Sequence, residues 1–134
     1  MSRREIKAKD LDHICFVGYD RGMQTFFAQV EDRRIQAAAY EAADRVSDAL
    51  AAGREPSDAD AEACERDSII FWIGADTIGQ VPTVEMLASQ LRPYALLSPE
   101  MAETLKADQQ SAESTARTEH QRAMMQFVLE NTRG

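Results

Sequence analysis

The chain has 134 residues, an ordinary 44% hydrophobic fraction and a formal net charge of −8, with a pI near 4.7. That length fits one domain around one modest core. The acidic balance argues against a nucleic-acid binder that works through its overall field, and no apolar run approaches the roughly 20 residues needed to span a bilayer.

Met1-Ser2-Arg3-Arg4 is not followed by an apolar stretch of the secretory kind, so a cytoplasmic setting is expected. In such a setting Cys15 and Cys64 read as free thiols. Residues 1–10 set Arg3, Arg4, Lys7 and Lys9 against Glu5 and Asp10, and read as a short flexible basic arm.

Residues 13–19 read as a first strand and residues 24–30 as a second. Asp20-Arg21-Gly22-Met23 turns between them. In the second strand Phe26, Ala28 and Val30 fall on one face, which should meet a helical layer. Residues 31–52 form the clearest helix. Ile35, Ala39, Ala42, Val46 and Ala49 or Leu50 recur at three- and four-residue steps, and Gly53 is a C-terminal stop. The alanines permit close approach to the sheet or to a second copy of the helix.

Ser57 is a cap for a short helix over residues 58–66. Glu55, Asp58, Asp60, Glu62, Glu65 and Asp67, with Arg66 alone to offset them, make this the most acidic stretch. It reads either as a solvated face or as a surface for a basic partner. The Asp58 and Asp60 spacing lacks the glycine and terminal glutamate of a calcium loop.

Ser68-Ile69-Ile70-Phe71-Trp72-Ile73-Gly74 is the most apolar run and holds the single tryptophan. It is too short for an amphipathic helix and rich in β-branched and aromatic residues, so it reads as a strand buried on both faces. Thr83 caps a following helix with Val84, Leu87 and Leu91 on its buried face, ended by Pro93. Ser98-Pro99-Glu100 starts a last helix expected over residues 98–131. Its middle is polar, and its end, with Met124, Met125, Phe127 and Val128, is apolar. That pattern suits a helix that leaves the body and docks its tip on something.

Candidate chemistry is sparse. His13 and Cys15 share a strand face, with Tyr19 and Asp20 following, but no third orienting group is identifiable. The two cysteines and two histidines lack zinc-ligand spacing. Gly74 and Gly79 lie between a strand and a helix without a phosphate-binding pattern. No catalytic residue, metal or cofactor is therefore expected.

The strings Val17-Gly18-Tyr19-Asp20-Arg21, Met23-Gln24-Thr25-Phe26-Phe27, Phe71-Trp72-Ile73-Gly74, Pro82-Thr83-Val84-Glu85 and Leu91-Arg92-Pro93-Tyr94-Ala95 together resemble small bacterial proteins of plasmids and mobile elements. The resemblance implies a bacterial cytosolic setting and supplies no catalytic residues.

The expected fold is α+β and a single domain over residues 1–134. It has a small, mainly antiparallel three-stranded sheet, helices on one face and a long C-terminal helix. The expected function is a non-enzymatic protein-interaction module. In its sharpest form this is an acidic inhibitor of a nucleic-acid-handling complex, of anti-CRISPR or anti-restriction type. Glu55, Asp58, Asp60, Glu62, Glu65 and Asp67 would meet a basic protein partner, and Met124, Met125, Phe127 and Val128 would dock the tip. A homodimer fits the same surfaces; a membrane does not, and direct contact with nucleic acid is disfavoured. The alternatives are a small enzyme with a site near His13 and Cys15, or a DNA-binding regulator that uses the basic arm.

Overall fold

The structure is a computed structural model that describes residues 2–132, with side chains described for residues 3–128. The elements run β1 (Ser2–Ile6), β2 (His13–Asp20), β3 (Thr25–Asp32), α1 (Arg33–Ala51), α2 (Asp58–Glu65), β4 (Ile69–Ile73), α3 (Val84–Leu91) and α4 (Pro99–Thr132). The sheet is antiparallel throughout, in the order β1-β2-β3-β4. It has four strands where three were expected. The added strand, β1, comes from the stretch read as a basic arm. Pairing with β2 satisfies one side of its backbone, while only Ile6 supplies a large apolar side chain towards the helices.

Strand alternation sorts the sheet into two faces. Cys15, Val17 and Tyr19 of β2 and Phe26, Ala28 and Val30 of β3 point into the core. There they meet Val84, Leu87 and Leu91 of α3 and Leu105 of α4, with Phe71 and Ile73 of β4 packed alongside. The helical layer is therefore made by α3 and the first half of α4. Tyr19 and Phe26 pack edge to face, with ring centroids 5.1 Å apart.

Short-range chemistry sets the helix starts. Asp32 caps α1 by accepting from the backbone N–H groups of Arg34 and Ile35. Ser57 caps α2, Thr83 caps α3 and the Ser98 hydroxyl accepts from Met101 N. The apolar stripe of α1 is present, but it packs mainly on α2 rather than on the sheet. Ala42 and Ala49 are buried there, while Tyr40 and Leu50 remain exposed. The two helices form an acidic excursion between β3 and β4. Residues 31–67 carry eleven carboxylates against five arginines, which leaves −6 of the net −8.

The run expected to be buried on both faces is corrected by the sheet order. β4 is an edge strand, and its outward side chains are open to solvent: Trp72 is 55% exposed and Ile70 37%. The register shifts between Val30 and Glu31, leaving Ile70 as the extra residue of a bulge opposite β3. The strand's end is pressed tightly on β3. Gly74 has a positive φ of +85°, and a Cβ there would lie 2.1 Å from the Phe26 carbonyl oxygen.

Candidate functional site: the overhanging C-terminal helix

α4 is 34 residues long, and only its first half has a sheet to lie on. Leu105 is fully buried, with Met101, Ala102 and Ala112 packed around it. Three ion pairs fix its path. Arg4 of β1 makes a two-pronged pair with Asp108, Nε to Oδ2 at 3.0 Å and Nη2 to Oδ1 at 3.1 Å. Lys106 reaches Glu85 of α3 at 3.3 Å. Arg21, in the β2–β3 turn, holds Glu119 at 2.6 Å. Beyond Glu119 every described side chain is exposed.

The thirteen residues from there to Thr132 extend about 20 Å at the helical rise of 1.5 Å per residue. On this overhang Met124, Met125, Phe127 and Val128 are 53%, 68%, 64% and 54% exposed. Large apolar side chains gathered on such a projection form an exposed patch rather than ordinary scatter. Met124, Phe127 and Val128 share one face at three- and four-residue steps, and Met125, three residues before Val128, lies at the edge of that face.

A cleft of about 370 Å³ opens at the base of the overhang. Tyr19, Arg21 and Gln24 line it from the β-hairpin, and Gln109, Glu113 and Arg117 line it from α4. Burial, then the nearby Glu113 carboxylate, push the Tyr19 phenol up, which keeps it protonated at neutral pH. Gln24 holds a positive φ of 52° in the turn. The cleft can hold a small polar group, but Arg21 in its wall is already paired with Glu119.

The expected acidic surface divides on inspection. Asp60 pairs with Arg45 of α1 at 2.9 Å, and Asp58 and Asp60 occupy the first turn of α2, where the helix dipole favours them. Asp67 accepts from Ile69 N at 2.9 Å and shapes the entry to β4. Glu55, Glu62 and Glu65 remain exposed, and Glu62 lines a small α1–α2 groove with Arg66. Half of the six carboxylates thus serve local structure.

The residues of the alternative sites are spread apart. His13 and Tyr19 are six residues apart on β2, about 20 Å. Cys15 is fully buried, and burial pushes its thiol up to about 11, so it carries no thiolate at neutral pH. Asp20 accepts from Gly22 N and Met23 N in the turn. His13 Nε2 lies 3.7 Å from both Asp10 and Asp32, and its Nδ1 is buried without a hydrogen-bond partner. Of the basic residues near the start of the chain, Arg4 is paired with Asp108, Arg3 sits 3.9 Å over the Phe16 ring and Lys9 donates to the Arg92 carbonyl. Among the described residues no group of three or more His, Cys, Asp or Glu side chains is arranged to hold a metal ion, and no helix is long and apolar enough to cross a membrane.

The sequence reading did not identify the outer sheet face. Phe16 of β2, Gln29 of β3 and Trp72 of β4 lie directly across from one another on it. The period-two pattern of the strands carried this signal, but only the seat of α3 and α4 reveals which face the helices leave open.

Comparison with protein families, with curated proteins and with solved structures finds no similar protein, and nothing in it supports the resemblance to proteins of mobile elements.

Proposed function

We propose that this protein is a non-enzymatic protein-interaction module whose docking element is the overhang of α4. One observation carries the reading: four large apolar side chains stand more than half exposed on a helix that has left its own core. An isolated helix of that length is marginal in water, so packing on a partner is the natural source of its stability. Methionines at the contact adapt their shape to the surface they meet.

The test replaces Met124, Met125 and Phe127 with Gln and compares affinity capture of the intact complex. Ile78→Gln is the control, an exposed apolar residue elsewhere on the chain. Loss of the captured complex with the tip variant alone supports the reading. Retention of every captured protein by the tip variant overturns it.

A second surface supports the inhibitor version of the same reading. Residues 31–67 hold most of the net negative charge and form an excursion that packs mainly on itself. Its exposed carboxylates Glu55, Glu62 and Glu65 can take the place of phosphates against a basic protein. Neutralising these three to Gln should abolish capture of a basic, nucleic-acid-handling partner. Unchanged capture would remove the inhibitor version and leave the module.

A further inference from the structure

The chain exposes two apolar surfaces, and they are of complementary kinds. One is a helix and the other a sheet face. From these we infer that the overhang of α4 docks on the outer sheet face of a second copy, and that two copies exchange tips in a closed dimer. The inference rests on the reading of the overhang as a docking element, and names its partner.

A sheet is stable when both faces are covered; here the outer face is closed around Phe27, which is 6% exposed, and open towards β4. The outer face offers Trp72 and Ile70 at the edge, with Phe16 half-buried beside them. The overhang is long enough to cover it. About 20 Å of helix lies beyond Glu119, while four strands spaced about 4.8 Å apart span about 14 Å from first to last.

Charge points the same way. At −8 each, two copies repel over most of their surfaces. Between His120 and Val128 the overhang carries Arg122 and no carboxylate. The outer sheet face carries Glu5 and Glu31 against Arg3, with Gln29 donating to Glu31 at 2.9 Å. With Glu130 following, the overhang to Thr132 carries no net charge, so it meets the slightly acidic face without the repulsion of the other surfaces.

Area decides between a closed pair and a single contact. Trp72 at 55% exposure and Phe127 at 64% together offer about 250 Å², given that such rings bury 150–250 Å² each. With Met124, Val128, Ile70 and their surroundings, one docked tip removes about 600 Å² in all, below the size of a specific interface. Two reciprocal docks reach about 1,200 Å², where specific interfaces begin, and closed two-fold symmetry is the commonest form of self-association.

Trp72 is the only tryptophan, so the intact chain reports on its own outer face. The experiment is a dilution series read by light scattering, tryptophan emission and acrylamide quenching. At high concentration the mass should be twice the 15.0 kDa of one chain, with Trp72 emission shifted to shorter wavelength and protected from quencher. Dilution should reverse all three together. Phe127→Gln, on the helix tip, and Trp72→Gln, on the sheet, should each raise the dissociation constant at least about tenfold. Circular dichroism checks that each variant retains its fold. A doubled mass with Trp72 still quenchable would overturn the sheet face as the seat and indicate helix-to-helix pairing. A monomer at every concentration would overturn the second copy as partner. In that case capture of another protein through the α4 tip would still uphold the module.

Discussion

Gly74→Ala should cost this protein much of its stability, and the cost follows from two separate features. Gly74 sits at φ +85°, where a residue with a Cβ pays about 1–2 kcal/mol. The added Cβ would also lie 2.1 Å from the Phe26 carbonyl oxygen and 2.7 Å from Phe27 Cα, both backbone atoms that cannot rotate away. β3 and β4 must then part locally, which at the usual scale of overpacking adds about 1–3 kcal/mol. The sum, about 2–5 kcal/mol, is a large share of the 5–15 kcal/mol typical of a whole domain. Gly53 provides the control. It has φ +72° but no atom within 4 Å of an added Cβ, so Gly53→Ala should cost only the backbone share, about 1–2 kcal/mol. Urea unfolding read by Trp72 fluorescence measures both. Equal losses in the two variants would refute the close approach of β4 to β3.

Leu105→Ala should lose about 2–5 kcal/mol, because its side chain is fully buried where α4 meets the sheet. Phe127→Ala, measured in dilute protein, should stay within about 0.5 kcal/mol of the parent, and a larger loss would mean that the tip packs on its own body. At pH 8 a thiol reagent should label half-buried Cys64 in the native protein and reach Cys15 only after denaturant is added; prompt labelling of both would contradict the core. Asp32 has its pKa lowered, first by the Arg34 side chain and then by the backbone N–H groups of Arg34 and Ile35, with burial opposing. A lowered folded pKa contributes stability that is present above the unfolded carboxylate pKa and lost as pH falls through the folded one. Asp32→Asn should therefore flatten the acid limb of a stability-against-pH curve, and an unchanged limb would refute this role of the cap.

Local chemistry was legible in the sequence where a few adjacent residues decide the outcome. Ser57, Thr83 and Ser98 were readable as caps because a cap needs only a hydroxyl and the next turn. The apolar tip of α4 was readable because a polar stretch precedes it on a continuous helix. Long-range placement was not legible. β1 carries three charged residues in a row, Arg3, Arg4 and Glu5, and the partner that draws Arg4 inward is Asp108, 104 positions away. The stripe of α1 was visible, but alanine fits a neighbouring helix as well as a sheet, so its seat on α2 was open. The composition of β4 identified a strand, yet a run of Ile, Phe and Trp reads alike at a sheet centre and at an edge. Only the pairing order put Trp72 on an edge strand, open to solvent.

The central claim is that the α4 overhang docks on a protein surface. A photo-crosslinking residue at position 127 tests it most directly, compared in cells with one at position 78, where Ile78 is 71% exposed. The account predicts a discrete covalent adduct from position 127, either a dimer of this chain or a complex with one partner, and none from position 78. Equal, diffuse labelling from both positions would contradict it.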